Sequence, residues 1–552
     1  MIQKYAIGLD YGTKSARALL VNAKDGTIVS RAAMDYPHGV MDTYLPDGTT
    51  RLDTDWALQH PLDYLAALTG TVSEVVSKSD VSAANIIGLS IDFTACTMLP
   101  VDSSLNPLCC HERFRHRPHA FVKLWKHHAA QEQADRINRV LENLGVIDQF
   151  RYGGRVSSEL LIPKILQILD EDPEMFNAAD QILEAADWLG QLLTGEKRRS
   201  ASTAAYKTWW QESDGYPNDV FAAIDSRFKN LDAGKLSGDI CPVGGRFGFL
   251  TSEWAEKLGL MPGIAVGCGV IDAHAGLPGC GITQSGKMML IMGTSSVQAA
   301  LCGQPYSGNG IMGGVKSGII PGYYALESGL AAFGDIFEWF VNNAVPAVYQ
   351  ANADTAGLSV FQYLSSLAQK YRPGESGLLA LDWWSGNKTP FVDAGLSGLV
   401  VGLSVYSKPE EIYRALIEAA GFGTRCIMEQ FEQSGVTINE IIACGGIADK
   451  DPFLLDIFAN ITNREIMVSA TGDTSALGAA MYASAAAGEA QGGHPDITAA
   501  AASMSRLKAE TYKPNPDKSG RYSILYDKYR ELSDYFGKSS GIMRTLRELR
   551  SC

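Results

Sequence analysis

Four short segments hold residue types and spacings that could do chemistry. Asp10-Tyr11-Gly12-Thr13 is a glycine-bearing turn between two apolar runs. The backbone N–H groups of such a turn can cradle a phosphate without any net positive charge. Asp10, at the strand end, is placed to hold Mg²⁺ through the ion's water shell. Gly293-Thr294-Ser295 is a second turn of the same kind. Each of these strings is, on its own, also an ordinary hairpin turn. Two Gly-Thr hairpins in the two halves of one chain point to a polyphosphate gripped from both sides. In Gly269-Val270-Ile271-Asp272-Ala273-His274-Ala275-Gly276, an apolar strand delivers Asp272. A carboxylate there can take the proton of an attacking hydroxyl; capping a helix is the equally open alternative. His274 is a second candidate base, or a packing residue. Gly445-Gly446 follows a strand, where glycines let a flat ring lie against the backbone, or simply make the turn into a helix.

The elements that position these groups follow from hydrophobic patterning. Apolar runs at 5–9 and 16–21 read as a strand–turn–strand unit, and 288–292 with 297–302 repeat it. Further strands are expected at 86–91, ending at Asp92, at 440–443 and at 465–468. Helices are expected at 451–460, 475–485, from Asp187, and over 121–145, where Phe121, Leu124 and Trp125 recur at helical spacing. The small-residue stretch 483–502 reads as helix or loop, and the charged tail 522–550 as a helical extension. The internal echo of the two hairpins has far too long a period for a solenoid and suggests two related domains. With 552 residues, more than one core usually serves, the division is placed at 1–271 and 272–552. The glycine-rich stretch 263–269 is the candidate hinge.

Composition narrows the function classes. Hydrophobic residues make up 46% and charged residues 20%, which fits a folded enzyme and excludes a disordered chain. A net charge of −14 argues against non-specific nucleic-acid binding. Ten cysteines form no C-x-x-C pair and read as buried thiols. The first ten residues lack the shape of a signal peptide, and no apolar run of about 18 residues suggests a membrane span. A cytoplasmic protein without membrane or nucleic-acid partners is expected. The oligomeric state stays open, a homodimer included.

Three features lead elsewhere and are set aside. Gly281-Ile282-Thr283-Gln284-Ser285-Gly286-Lys287-Met288 nearly spells a P-loop, but Met288 stands where Ser or Thr must be, and a strand follows instead of a helix. Gly308-Asn309-Gly310-Ile311-Met312-Gly313 spells a dinucleotide fingerprint without a preceding strand, in a chain of 56 glycines. His111, His116, His119, His127 and His128 cluster among Arg113, Arg115, Arg117, Lys123 and Lys126. Those cations would repel a metal, so the cluster reads as a solvated basic face or as contacts to a polar substrate.

In chain order, the chemistry-bearing segments resemble the FGGY carbohydrate kinases of the actin-like ATPase superfamily. Asp10-Tyr11-Gly12-Thr13 looks like the first phosphate motif, and Asp272-Ala273-His274-Ala275 like the catalytic aspartate segment. Gly293-Thr294-Ser295 looks like the second phosphate motif, Ala443-Cys444-Gly445-Gly446 like the adenosine motif, and Thr474-Ser475-Ala476-Leu477-Gly478 like the helix start after it. Within that family, Asp92-Phe93-Thr94-Ala95-Cys96-Thr97, Leu124-Trp125-Lys126-His127-His128 and Leu381-Asp382-Trp383-Trp384-Ser385-Gly386-Asn387-Lys388 are similar to the ribulokinase branch. Val297-Gln298 departs from the Cys-His that often continues the second phosphate motif there, and Ser385 to Lys388 departs from Asn-Gly-Asn-Arg.

The resemblance implies an α/β, two-domain, actin-like (ribonuclease H-like) fold with ATP and sugar in the interdomain cleft. It implies phosphoryl transfer from ATP, with Mg²⁺, to the terminal hydroxyl of L-ribulose, a step of L-arabinose catabolism. Asp272 would be the base and Asp10 the metal-side carboxylate. Gly12, Thr13, Lys14, Gly293, Thr294, Ser295, Gly445 and Gly446 would bind ATP. Ala95 (through its backbone), Lys207, Asp272 and Glu327 would hold the sugar. Lys207 also reads as a surface lysine anchoring a loop. Glu327, between apolar stretches, needs a partner. Trp209 and Trp210 read as core or as sugar-stacking faces. The alternatives are another pentulose or pentitol (D-ribulose, ribitol, xylulose), a non-catalytic nucleotide switch, or a sugar sensor.

Overall fold

The computed structural model describes residues 2–147, 155–306, 308 and 310–551. Two seven-stranded sheets organise the chain. The first comprises β1 (Tyr5–Tyr11), β2 (Ser15–Asn22), β3 (Ile28–Asp35), β4 (Ile86–Phe93), β5 (Arg246–Phe249), β6 (Ala265–Gly267) and β7 (Val270–Ile271). Their order is β5-β6-β4-β1-β2-β3, with β7 beside β4. The second comprises β8 (Lys287–Met292), β9 (Ser296–Cys302), β10 (Met312–Lys316), β11 (Tyr324–Leu330), β12 (Glu440–Cys444), β13 (Glu465–Ser469) and β14 (Leu507–Tyr512), ordered β10-β11-β9-β8-β12-β13-β14.

The echo read from the two hairpins extends to topology. In each sheet three antiparallel strands (β1, β2, β3; β8, β9, β11) are continued by parallel partners (β4, β6; β12, β13). The central parallel strand β4 is buried on both faces, so its sequence is a largely apolar run without alternation. Every residue of β4 is buried, Asp92 included.

Between the sheets lie α3 and α4, which follow in chain order α1 (Leu161–Glu171) and α2 (Ala201–Thr208): α3 is Asp272–Gly279 and α4 is Thr474–Ala487. One core joins Ala6 and Leu19 of the first sheet, Met289 and Ala299 of the second, Ala275 of α3 and Ala480 of α4. Small residues permit that closeness. A Cβ on Gly8 would sit 1.9 Å from Ala476 O, and one on Gly478 would sit 1.9 Å from Ala275 O. The tail forms α5 (Pro516–Asp534) and a final helix, Ile542–Ser551. The stretch 483–502 is the end of α4, a turn and the helix Ile497–Met504.

Several expectations change. Only Gln131–Leu144 of the span 121–145 is α-helical. Val122–Lys123 is instead a strand paired with Leu58–Gln59, and that pairing outweighs the local helical spacing. The stretch 263–269, expected as a hinge, contributes β6 to the first sheet. The P-loop-like string runs into strand β8, and the glycine fingerprint into strand β10, with Asn309 outside the described residues. The histidine-rich segment is not a uniformly solvated face. His119, Lys123 and His127 are buried, with Lys123 Nζ 4.0 Å above the Trp56 ring and His127 Nε2 2.9 Å from Gln167 Oε1. No group of these histidines gathers metal ligands among the described residues; the one such group is His38, His60 and Asp63.

Candidate active site

The first turn is built at the end of β1. The Gly12 amide donates to Ser15 O at 3.0 Å, closing the hairpin. Three side chains brace it from outside: Tyr36 OH donates to Gly12 O (3.1 Å), Gln59 Nε2 to Thr13 O (2.7 Å) and Trp125 Nε1 to Thr13 Oγ1 (3.0 Å). Lys14 is exposed. Asp10 lies opposite Arg17 in the hairpin and opposite Asp92 in the parallel pairing of β1 with β4. Burial raises the Asp10 carboxyl above its usual range, against the pull of Arg17, whose Nη1 is 3.4 Å away. Asp92 is fully buried, and neither of its oxygens meets a hydrogen-bond donor. Burial holds its carboxyl well above the usual range, and the neighbouring Asp10 and Asp272 add to the shift. One proton shared with Asp10 is the hydrogen bond open to it.

Strand β7 pairs with β4, Val270 opposite Asp92, and so delivers Asp272 to the same place. The helix α3 starts at Asp272 itself with Ile271 at its cap, so Asp272 does not serve as the N-cap. Its Oδ1 accepts from the Ala273 amide (2.7 Å), and the residue is half-buried, leaving one side reachable. Burial pushes its carboxyl up to about 7; Asp10 and Glu327 add to this, while the Ala273 amide and Lys207 oppose it. Asp10 raises the pKa of both Asp92 and Asp272, and Asp92 lacks a donor. The three do not converge as a direct ligand cage, so carboxylates so placed suit a hard divalent cation held through its water shell. The residues present fit Mg²⁺.

On the other side of Asp272, the partner Glu327 needs is a protein group. His274 Nε2 and Glu327 Oε2 lie 2.8 Å apart, and the Tyr206 ring covers His274 at 4.5 Å. Burial keeps His274 below its usual pKa, so it serves Glu327 as a neutral N–H donor. Burial would raise the Glu327 carboxyl, but His274, Lys207 and Lys388 together hold it below the usual range. Lys207 is buried on α2, which removes the surface-lysine reading. Glu327 is among the charges that keep its pKa up against burial. Ala95 sits half-buried in the turn after β4. Trp209 is core, packed on Phe221 at 5.9 Å.

The second turn repeats the first on the other sheet. The Gly293 amide donates to Ser295 O at 3.1 Å, and Thr294 O accepts from the Phe333 amide at 2.9 Å. Thr294 and Ser295 are exposed. Gly445 lies beside this turn at φ +94, where a Cβ would come 2.6 Å from Met292 O, whereas Gly446 faces open space. Gln298 is buried, its Nε2 donating to Ser296 Oγ (2.9 Å), so the departure at this motif is absorbed inside the sheet. The structure thus gathers Asp10, Asp272, Lys207 and Glu327 in one electrostatic group, and Gly293 to Ser295 with Gly445 and Gly446 in another region. Sequence reasoning gave no role to Asp92, Trp125 or Asp473, although the charge of Asp473, at the start of α4, also reaches Asp10. An acidic residue inside an apolar strand was the one available signal for Asp92.

Comparison with known proteins agrees with this layout. The N-terminal domain of the FGGY family of carbohydrate kinases matches residues 5–279, and its C-terminal domain matches 288–487. The chain belongs to that family. A protein named ribulokinase from Geobacillus thermodenitrificans is 47% identical over 549 residues, 99% of this chain and 97% of that one. Another of that name from Shouchella clausii is 48% identical over 552 residues, 100% of this chain and 98% of the other. Among solved structures, a xylulose kinase from Lactobacillus acidophilus superposes with a TM-score of 0.79 at 20% identity, covering 98% of this chain and 99% of that one. A gluconate kinase from the same organism gives 0.80 at 20%, with the same coverage. These structures share the two-domain α/β fold. No described helix of this carbohydrate kinase is long and apolar enough to cross a membrane.

Proposed function

We propose that this FGGY kinase is a ribulokinase, transferring the γ-phosphoryl group of ATP to the terminal hydroxyl of L-ribulose to give L-ribulose 5-phosphate in L-arabinose catabolism in the cytoplasm. The observation that carries the phosphoryl-transfer reading is Asp272, a reachable carboxylate with its pKa pushed up to about 7 between a carboxylate pair and a Lys–Glu–His group. A base poised near neutrality is suited to take a hydroxyl proton. The choice of sugar rests on the full-length likeness to proteins named ribulokinase.

In this reading the substrate oxygen attacks the γ-phosphorus in line. Its proton passes to an Asp272 oxygen, and the bond from phosphorus to the β–γ bridging oxygen breaks to release ADP. Catalysis is mostly positioning and charge stabilisation. Backbone amides at Gly12–Lys14 and Gly293–Ser295, with the Thr13 and Thr294 hydroxyls, hold the phosphates; Gly445 and Gly446 seat the adenosine. Asp10 and Asp92 would hold Mg²⁺, which supplies charge neutralisation at the phosphates when bound. Lys207, Glu327 and the Ala95 backbone hold sugar hydroxyls. Residues 1–271 and 272–552 act as the two domains, and their closure excludes water as a competing acceptor.

The test is ADP release from ATP and Mg²⁺ over a panel of pentuloses and pentitols. L-Ribulose should give the highest kcat/KM. Preference for D-ribulose, xylulose or ribitol would move the assignment within the family. ATP hydrolysis indifferent to sugar, or sugar binding without turnover, would end it.

A further inference from the structure

An ammonium is costly to bury unless its donors find partners. Lys164 is 0% exposed on α1, a helix buried from Leu161 through Leu169. Its Nζ donates to backbone carbonyls of two separate segments, Cys96 O at 2.9 Å and Leu124 O at 2.5 Å. Both segments adjoin the candidate site. Cys96 follows Ala95 and is held at φ +53, a left-handed conformation that is unfavourable for a residue with a Cβ. Leu124 precedes Trp125, whose indole N–H holds Thr13 Oγ1. The carbonyl that Lys164 satisfies in the first segment is that of the strained residue itself.

We propose that Lys164 is a positioning residue for the acceptor sugar: its ammonium clamps the Ala95–Cys96 turn to the Leu124–Trp125 segment, fixing the spacing between the sugar-facing backbone and the first phosphate turn. The inference rests on the reading of Ala95 as part of the sugar site. Without the clamp, Cys96 O loses the Lys164 donor in a dry interior while Leu124 O keeps the His127 amide (3.1 Å), so the left-handed turn is the part free to relax. Relaxation there moves a backbone contact to the sugar while leaving Gly293–Ser295 and Gly445–Gly446, on the other sheet, in place.

Lys164→Met keeps length and burial and removes the donors. Its KM for the ketopentose should rise about tenfold or more, the usual worth of a charge-assisted hydrogen bond. The value of kcat should fall by less, and ADP affinity measured by calorimetry should stay at the wild-type value. A Cys96→Gly background supplies the readout that a merely structural lysine would not move. Glycine takes the left-handed conformation unaided, so Lys164→Met should raise KM less there than in the wild-type background. If Lys164→Met does not fold, Lys164→Leu, which is also apolar and donor-free, takes its place with the same expectations. A wild-type KM in the folded variant, or an equal rise in both backgrounds, overturns the proposal. A wild-type enzyme that phosphorylates no ketopentose overturns the substrate reading, and this inference with it, before Lys164 is altered.

Discussion

The two glycine hairpins share one scaffold and carry opposite electrostatics. Aligned on Gly12 and Gly293, Asp10 corresponds to Ile291 and Thr13 to Thr294. Each hairpin is paired in parallel with a following strand, and at equivalent rungs the partners are Asp10 with Asp92 in one sheet and Ile291 with Cys444 in the other. The first turn stands on a carboxylate pair with Asp272 alongside, whereas the second stands on an apolar pair and offers only backbone amides and small hydroxyls. In the proposed mechanism the first turn's side therefore supplies carboxylates for the metal and for the proton of the acceptor hydroxyl. The other is proposed to grip phosphates and a flat ring with no carboxylate on the matching rung. A duplicated fold does not duplicate the chemistry; a single rung decides which sheet can hold a cation.

Removing the proposed proton acceptor should break the asymmetry most severely. Asp272→Asn is expected to fold normally and to lose about 100-fold or more in kcat, the usual scale for a general base. The wild-type pH profile tests the same group. A carboxyl raised to about 7 is ionised, and so competent as a base, only above that pH. Hence kcat/KM of the free enzyme should climb from about pH 5.5 and level off by about pH 8.5, and this limb should vanish in Asp272→Asn. A near-wild-type rate in the variant refutes the role.

Local chemistry was legible in the sequence; partnerships were not. The turns at Asp10–Thr13 and Gly293–Ser295 announce themselves because glycine and small polar residues follow apolar runs, and that signal is contained in a few positions. Asp92 was visible as a charge at a strand end, yet its meaning depends on the register of β4 against β1. The need of Glu327 for a partner could be argued from its apolar flanks, but His274 lies 53 residues away and only the packing of α3 against the second sheet joins them. Phe121, Leu124 and Trp125 mimic helical spacing, whereas pairing of Val122–Lys123 with Leu58–Gln59 turns the segment so that Trp125 reaches Thr13. Propensity lost there to tertiary contacts, as short apolar runs allow.

The two threonines sharpen the comparison at a smaller scale. Thr13 Oγ1 accepts the Trp125 indole N–H, whereas no side-chain brace reaches Thr294 among the described residues. Thr13→Ala therefore removes a proposed phosphate contact and also leaves Trp125 without its acceptor. Thr294→Ala removes the contact alone. Both should lower kcat/KM for ATP, and Thr13→Ala should do so about threefold to tenfold more, by the worth of one hydrogen bond. Equal losses, measured by steady-state kinetics at saturating sugar, would mean that Trp125 does not hold the turn.

The smallest expected effect is on stability, and it makes the first hairpin more like the second. Asp92 is buried without a donor, so its folded-state pKa lies well above the unfolded value. The folded protein then binds a proton that the unfolded chain has released. By linkage this lowers stability progressively as pH rises above the unfolded carboxylate's value of about 3.9. Asp92→Asn has no such penalty at neutral pH. Its melting temperature in metal-free buffer should exceed the wild type's at pH 7, by about 2–4 °C for each kcal/mol relieved. The difference should shrink as the pH falls towards 4. Mg²⁺ should raise the wild-type melting temperature more than the variant's, and the variant's activity should fall, because the carboxylate that destabilises the apo fold is the one proposed to help hold the metal. A variant that melts at or below the wild type at pH 7, or gains equally from Mg²⁺, would show that the strained carboxylate rung is not what separates the two hairpins.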